Sequence, residues 1–198
     1  MASTSTEAVP GLRLLDSWID AAEERRLLEA IDAAPWRADL QRRVQHYGWR
    51  YDYKARAVDE AMRLGPLPDW AAGLSRRLVS EGLIEREPDQ LIVNEYEPGQ
   101  GISKHVDCVP CFGPTVVSIT LAGGCVMMLA GPEGRRHEIV LAPRSLLVLG
   151  GESRVRWSHA IPARKSDVIA GVRVPRARRV SLTFRTIRRS GAPSREIR

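Results

Sequence analysis

The chain has 198 residues, enough for one substantial hydrophobic core and too few for two. Its apolar runs fall short of a bilayer span, its first residues lack the basic-then-apolar pattern of a secretory signal, and its three cysteines are an odd number, so the composition speaks against a membrane protein or a disulfide framework and for a soluble cytoplasmic chain with free thiols. A formal charge of +6 and a pI near 9.7 favour a polyanionic partner such as nucleic acid, although a solvated arginine-rich surface explains the charge equally well.

A single domain is expected over residues 11–187. Residues 1–10 and 188–198 read as disordered tails, because small, polar and charged residues there bury too little to offset ordering. Asp16 or Asp20 is placed to cap a helix running to about Ala33, with Ile19, Leu27, Leu28 and Ile31 as its apolar stripe and Pro35 as its stop. After the Pro66-Leu67-Pro68 break, Asp69 is expected to cap a second helix carrying Trp70, Leu74 and Leu78 on one side. Beyond Gln90 the texture becomes short apolar or alternating runs separated by Gly and Pro: LIVNEY, VVSITLA, CVMMLA, HEIVLA, SLLVLG, RVRWSH and RVSLTFRTI. Strands of that length without strand-helix alternation suit an antiparallel jelly roll or related barrel, backed by the two helices, and not a doubly wound sheet. Cys108 and Cys111 form a lone CxxC with no second pair, which reads as unremarkable thiols more readily than as a zinc site.

His105 and Asp107 stand two apart after the turn sequence Pro98-Gly99-Gln100-Gly101, a spacing that sends both side chains to one face of an extended strand. His159 lies far downstream, before the Ile161-Pro162 break, where a neighbouring strand would bring it alongside. Two histidines and a carboxylate form the facial triad of non-haem iron, with positions left for a co-substrate and oxygen. The same ligands also suit a hydrolytic zinc, and HxD by itself occurs by chance. What separates these readings is a site for an organic dianion. In Arg179-Val-Ser-Leu-Thr-Phe-Arg185, alternation puts Val180, Leu182 and Phe184 on one face and Arg179, Ser181, Thr183 and Arg185 on the other. The two arginine Cα atoms are roughly 20 Å apart in an extended strand, so their guanidinium forks can converge on a short dicarboxylate between them. An edge strand guarded by charge is the plainer explanation of that face. Asn94 and Tyr96 share a strand face and offer an amide and a phenol to the same ligand.

Taken together, Asn94-Glu-Tyr96-Glu-Pro-Gly-Gln-Gly, His105-Val-Asp107, Ser158-His159 and Arg179-Val-Ser-Leu-Thr-Phe-Arg185 occur in the order of the AlkB family, which the chain resembles from about Gln41 to Arg185. In detail it looks like the oxygenase domain of the eukaryotic tRNA-modifying members. The resemblance implies a mainly β, α+β fold with a double-stranded β-helix (jelly-roll, cupin-like) core. It further implies Fe(II) held by His105, Asp107 and His159, with 2-oxoglutarate and O2 as co-substrates. Arg179 and Tyr96 would take the distal carboxylate of 2-oxoglutarate, and Arg185 and Asn94 the metal-proximal end. Ser181 departs from the asparagine of many repair members. Val109 departs more tellingly, since an acidic residue often reads the target base two positions past the metal aspartate.

Between Gln41 and Arg56, cations alternate with rings, which suits gripping phosphates while stacking a splayed base. Arg42, Arg43, Tyr47, Trp49, Arg50 and Tyr51 are the substrate-binding candidates, in a segment that resembles the family's lid; Tyr53 and Lys54 belong to the same run. Packing of some rings into a core is the structural alternative. The expected activity is oxidative dealkylation of alkylated bases in DNA or RNA, by a monomer acting on single strands or flipped bases. Hydroxylation of a tRNA wobble nucleoside and a protein-directed demethylase or hydroxylase are the alternatives.

Overall fold

Alternating apolar residues in the C-terminal half and two amphipathic helices in the N-terminal half assemble as two facing sheets with helices behind one of them. The computed structural model describes residues 3–5, 8–38, 41–52 and 55–188. In chain order the elements are β1 (Ser3–Ser5), β2 (Leu12–Leu15), α1 (Ala21–Asp32), β3 (Arg43–Tyr47), α2 (Asp69–Ser80), β4 (Gln90–Tyr96) and β5 (Ile102–His105). There follow β6 (Phe112–Ala122), β7 (Cys125–Ala130), β8 (Arg136–Leu141), β9 (Leu146–Leu149) and α3 (Gly151–Val155). The series ends with β10 (Ser158–Ile161), β11 (Ser166–Ile169), β12 (Val172–Pro175) and β13 (Arg179–Ile187).

Among the described residues the larger sheet has seven strands in the order β1-β2-β9-β6-β13-β4-β3, and the sheet facing it has four, β5-β10-β7-β8. The pairings within both are antiparallel, as the expected jelly roll requires. A hairpin of β11 and β12 stands apart as a two-stranded sheet.

The outer face of the seven-stranded sheet is covered by α1 and α2. Leu27 and Ile31 of α1 and Leu74 and Leu78 of α2 are buried with Leu91, Val93, Ile119, Val180, Leu182 and Phe184. Each such side chain contributes about 1.5–3 kcal/mol on burial, which is what anchors two short helices that would be marginal alone. Of the two candidate caps, Asp20 is the one that caps α1, its carboxylate accepting from the Glu23 backbone N–H at 2.7 Å. Between the sheets a second cluster joins Leu12, Leu147 and Leu149 of the larger sheet to Met127, Leu129, Ile139, Leu141, Trp157 and Ile161.

Four local expectations are corrected. Val9 is fully buried in the second cluster and Ser3–Ser5 pairs with β2, so the ordered body begins ahead of residue 11. The other tail positions, 1–2, 6–7 and 189–198, lie outside the described residues, as do Tyr53 and Lys54. Asp69 is the first residue of α2 and makes no capping bond; Pro68 occupies the cap, where its missing N–H costs nothing. RVRWSH is not one strand, because Gly150 and Gly151 open the short helix α3 and β10 starts only at Ser158. Cys108 and Cys111 form a disulfide, since the turn that lets the Phe112 backbone N–H donate to the Cys108 carbonyl at 3.1 Å brings residues three apart together. Cys125 alone is a free thiol, and it is buried. No helix among the described residues is long and apolar enough to cross a membrane.

Candidate active site

The strand β13 is not an edge strand; it lies between β6 and β4, with Arg179 opposite Tyr96 and Ser181 opposite Asn94. Its two faces are both covered. Val180, Leu182 and Phe184 point into the helix-backed core, while Arg179, Ser181, Thr183 and Arg185 line a cavity of about 640 Å³ between the sheets. His105, Asp107 and His159 line the same cavity, as do Asn94 and Tyr96. Sequence-distant groups are thus gathered at one place.

The histidines meet because β5 and β10 pair with His105 directly opposite His159, which sets their ring centroids 4.3 Å apart. That pairing needs a close approach at its other end: a Cβ on Gly101 would lie 2.1 Å from the Ile161 carbonyl oxygen. Asp107 lies just past the end of β5, so the chain's exit from the strand aims its carboxylate and simple strand alternation does not. Asp107 Oδ1 accepts from Arg185 Nη2 at 2.6 Å, and Oδ2 lies 4.0 Å from His159 Nε2. Burial pushes the Asp107 carboxyl upward, but Arg185, His159, His105 and Arg154 together lower it to about 2, so it is ionised at neutral pH. At His159, by contrast, burial prevails and lowers it to about 4 against the attraction of Asp107, which keeps the ring neutral. His105 Nδ1 lies 2.8 Å from the Ser103 carbonyl oxygen. A carbonyl only accepts, so Nδ1 carries a proton, and of the two neutral tautomers this bond selects the one with its lone pair on Nε2.

An ionised carboxylate and two imidazoles with available lone pairs are the donor chemistry that a divalent metal requires. Among the described residues no three such groups already stand in metal-coordinating closeness. The carboxylate is turned toward Arg185, whose Nη2 it accepts from at 2.6 Å.

Two neighbours of the site, Arg154 and Lys104, are missed by sequence reasoning. Arg154 of α3 is only 2 % exposed; its Nη1 donates to the Asp107 carbonyl at 2.9 Å and its Nη2 to the Cys108 carbonyl at 3.3 Å. Nothing in the sequence distinguishes it from the many surface arginines. Lys104, exposed on the cavity's lining, is missed for the same reason; Arg56, the last cation of the run that begins at Gln41, lines the cavity as well.

At the far end of the cavity Arg179 is buried, donates through Nη2 to Thr120 Oγ1 at 2.9 Å, and has its guanidinium carbon 5.5 Å from the centre of the Tyr96 ring. Its Nε–H is buried without a partner, a donor left for a ligand. Ser181 Oγ pairs with Ser118 Oγ at 2.9 Å. Burial raises the Tyr96 phenol, and Arg42 and Arg179 pull against it.

The six residues singled out for substrate contact divide. Arg42 and Tyr51 line the cavity. Arg43 points the other way, donating to Glu95 at 2.5 and 2.8 Å. Tyr47 packs edge-on against Trp70 at 5.6 Å, and Trp49 is buried with Phe112 and Ile187. Arg50 is exposed and lies outside the cavity lining. Strand alternation through β3 accounts for much of this division.

A sandwich of antiparallel sheets with a His/Asp/His cluster and buried arginines in one interior cavity defines a class of oxygenase fold, and comparison with known proteins supplies the family. Residues 11–185 match the model described as the 2OG-Fe(II) oxygenase superfamily. The Xenopus tropicalis protein named tRNA (carboxymethyluridine(34)-5-O)-methyltransferase alkbh8 is 38 % identical over 202 residues, covering 91 % of this chain and 32 % of its own length. The Arabidopsis thaliana protein named alkylated DNA repair protein ALKBH8 homolog is 37 % identical over 209 residues, covering 91 % of this chain and 59 % of its own. The chain therefore spans about a third to three-fifths of the length of these relatives. The solved structure of OsALKBH1 shares the fold, with a TM-score of 0.73 at 16 % identity over 93 % of this chain and all of that one. The chain belongs to the 2OG-Fe(II) oxygenase superfamily, among its AlkB homologues. Fe(II), 2-oxoglutarate and O2 are the cofactor and co-substrates of that family.

Proposed function

We propose that the protein is an oxidative dealkylase of alkylated nucleic-acid bases, in which His105, Asp107 and His159 hold Fe(II) and β13 holds 2-oxoglutarate. The observation that carries the reading is the sharing of one cavity by this cluster and by two arginines from a single strand face. A hydrolytic metal site has no use for that second feature. On this reading Arg185, next to Asp107, takes the metal-proximal carboxylate, and Asn94, opposite Ser181 on the neighbouring strand, offers its amide to the same ligand. Arg179 and Tyr96 are placed for the distal carboxylate, with Ser181 beside them. When bound, the iron supplies the oxidising power that couples 2-oxoglutarate and O2 to attack on a C–H bond. The protein's own part is to fix the two carboxylates, keep His159 neutral and exclude water with the Leu147, Leu149 and Met127 walls.

Nucleic acid is the substrate favoured by the basic balance of the chain and by Arg56 and Lys104 on the exposed part of the lining. The Arabidopsis relative's name, which refers to alkylated DNA, supports the same choice. A second reading, hydroxylation of a tRNA wobble nucleoside, is favoured by Val109, an apolar residue outside the cavity lining, and by the tRNA named for the Xenopus relative.

Succinate release with Fe(II) and 2-oxoglutarate is the deciding assay, run against single-stranded methylated oligonucleotides, tRNA and methylated peptides. Dealkylation predicts oligonucleotide-dependent succinate with matching formaldehyde. Succinate with tRNA but no formaldehyde selects the hydroxylase reading. Turnover with peptide alone defeats both.

A further inference from the structure

Arg42 stands one residue before β3, which pairs with β4 so that Arg43 faces Glu95 and Val44 faces Asn94. Arg43 is fixed outward by Glu95, so alternation turns Arg42 inward, toward the face that carries Asn94 and Tyr96. The segment is tied down as well: the Gln41 carbonyl accepts from Gln100 Nε2 at 2.8 Å, and Gln100 Oε1 accepts from the Glu97 backbone N–H at 2.9 Å. From there Arg42 Nε donates to Asn94 Oδ1 at 2.9 Å, and its guanidinium carbon lies 5.7 Å from the Tyr96 ring centre, nearly the same distance as that of Arg179.

The bond to Asn94 has a chemical consequence. A side-chain amide has one acceptor oxygen and one donor NH2, and a guanidinium offers only donors. By occupying Oδ1, Arg42 fixes which way the amide is turned and presents Nδ2–H2 to the cavity. The reverse orientation would aim a carbonyl oxygen at a carboxylate. The cavity's charged lining is also one-sided, with Arg42, Arg56, Lys104, Arg179 and Arg185 against Asp107 alone, so a dianion is strongly favoured there.

We infer that Arg42 is a positioning residue for 2-oxoglutarate, acting through Asn94, and not a grip on nucleic-acid phosphate. The inference rests on the co-substrate assignment proposed above. Its test is the affinity of the Mn(II)-loaded full chain for 2-oxoglutarate, measured by calorimetry without nucleic acid, in wild type, Arg42→Met, Arg42→Lys, Asn94→Ala and the Arg42→Met/Asn94→Ala double variant. Arg42→Met is expected to weaken binding roughly tenfold, the effect of losing one charge-assisted hydrogen bond. Arg42→Lys, which keeps a cationic donor, recovers most of that loss. The double variant is no weaker than Asn94→Ala by more than about twofold, because both changes remove one interaction. Losses that simply multiply overturn the inference, as does an unchanged 2-oxoglutarate affinity accompanied by a raised KM for oligonucleotide or a lowered melting temperature. Wild type that binds Mn(II) but no 2-oxoglutarate overturns the co-substrate assignment itself, and is seen before any variant is compared.

Discussion

Arg154 places two of its donors on consecutive backbone carbonyls, Asp107 and Cys108, from a helix that leads directly into the strand carrying His159. Burial lowers its pKa, opposed by the attraction of Asp107, so its charge is held in place by the segment that it holds. Arg154→Met keeps the volume and removes both bonds. Metal affinity is expected to fall by about 10–100-fold, the usual cost of removing an outer-shell contact, with Mn(II) titration as the measurement. An unchanged affinity would remove Arg154 from the site. His105, Asp107, His159 and the two β13 arginines were legible because spacing and residue type together carry chemistry. Arg154 was not, since its importance lies in burial and in backbone partners, neither of which leaves a mark on the sequence. The same limit explains Arg43, Tyr47 and Trp49: a run of cations and rings looks alike whether its members face a ligand, a buried glutamate or a core.

At the scale of elements, the end of α1 was readable to within a residue or so, while its start was left between two aspartates four residues apart, of which Asp20 is the cap. The short helix α3 was hidden by flanking β-formers, and the end of β5 at His105, two residues short of Asp107, was not marked in the sequence. The strand β13 was readable in full. Its apolar residues are packed under α1 and α2, and Leu182, fully buried at the middle of that face, is flanked by Val93 and Ile119 on the neighbouring strands. Leu182→Ala is expected to destabilise the fold by about 2–5 kcal/mol in denaturant unfolding, because a cavity is left that the flanking strands cannot close. The opposite face of the strand should survive, and 2-oxoglutarate affinity measured well below the melting temperature should change little.

Across the whole molecule, the hairpin of β11 and β12 is tied to the body by a buried carboxylate. Asp167 accepts from Arg164 Nε at 2.7 Å, from Arg176 at 2.6 and 2.9 Å, and from the Val126 backbone N–H at 3.2 Å. The side chains of Asp167 and Arg176 are both buried, so Asp167→Asn leaves the Arg176 guanidinium without its counter-charge and is expected to cost about 3–5 kcal/mol in chemical unfolding. Burial alone would raise the Asp167 carboxyl; Arg176, the Val126 N–H and Arg164 outweigh it and hold it below its ordinary 3.8. A carboxyl lowered by folding contributes fully above its unfolded value and loses that contribution as pH falls through the folded one. The stability gap between wild type and Asp167→Asn should therefore stay constant from neutrality to about pH 4 and narrow below it; a gap that widens in acid contradicts the assignment. The broad architecture was visible from run lengths, but which runs share a sheet depends on long-range pairing that short segments do not encode. The central position of β13 bears on how the molecule ripens. A slip of one residue against β4 or β6 would drive guanidinium groups among leucines and leave the ligand chamber lined with hydrocarbon. Assembly errors at this strand are consequently not silent: a chain that has settled its interior has, by that same event, finished its catalytic chamber.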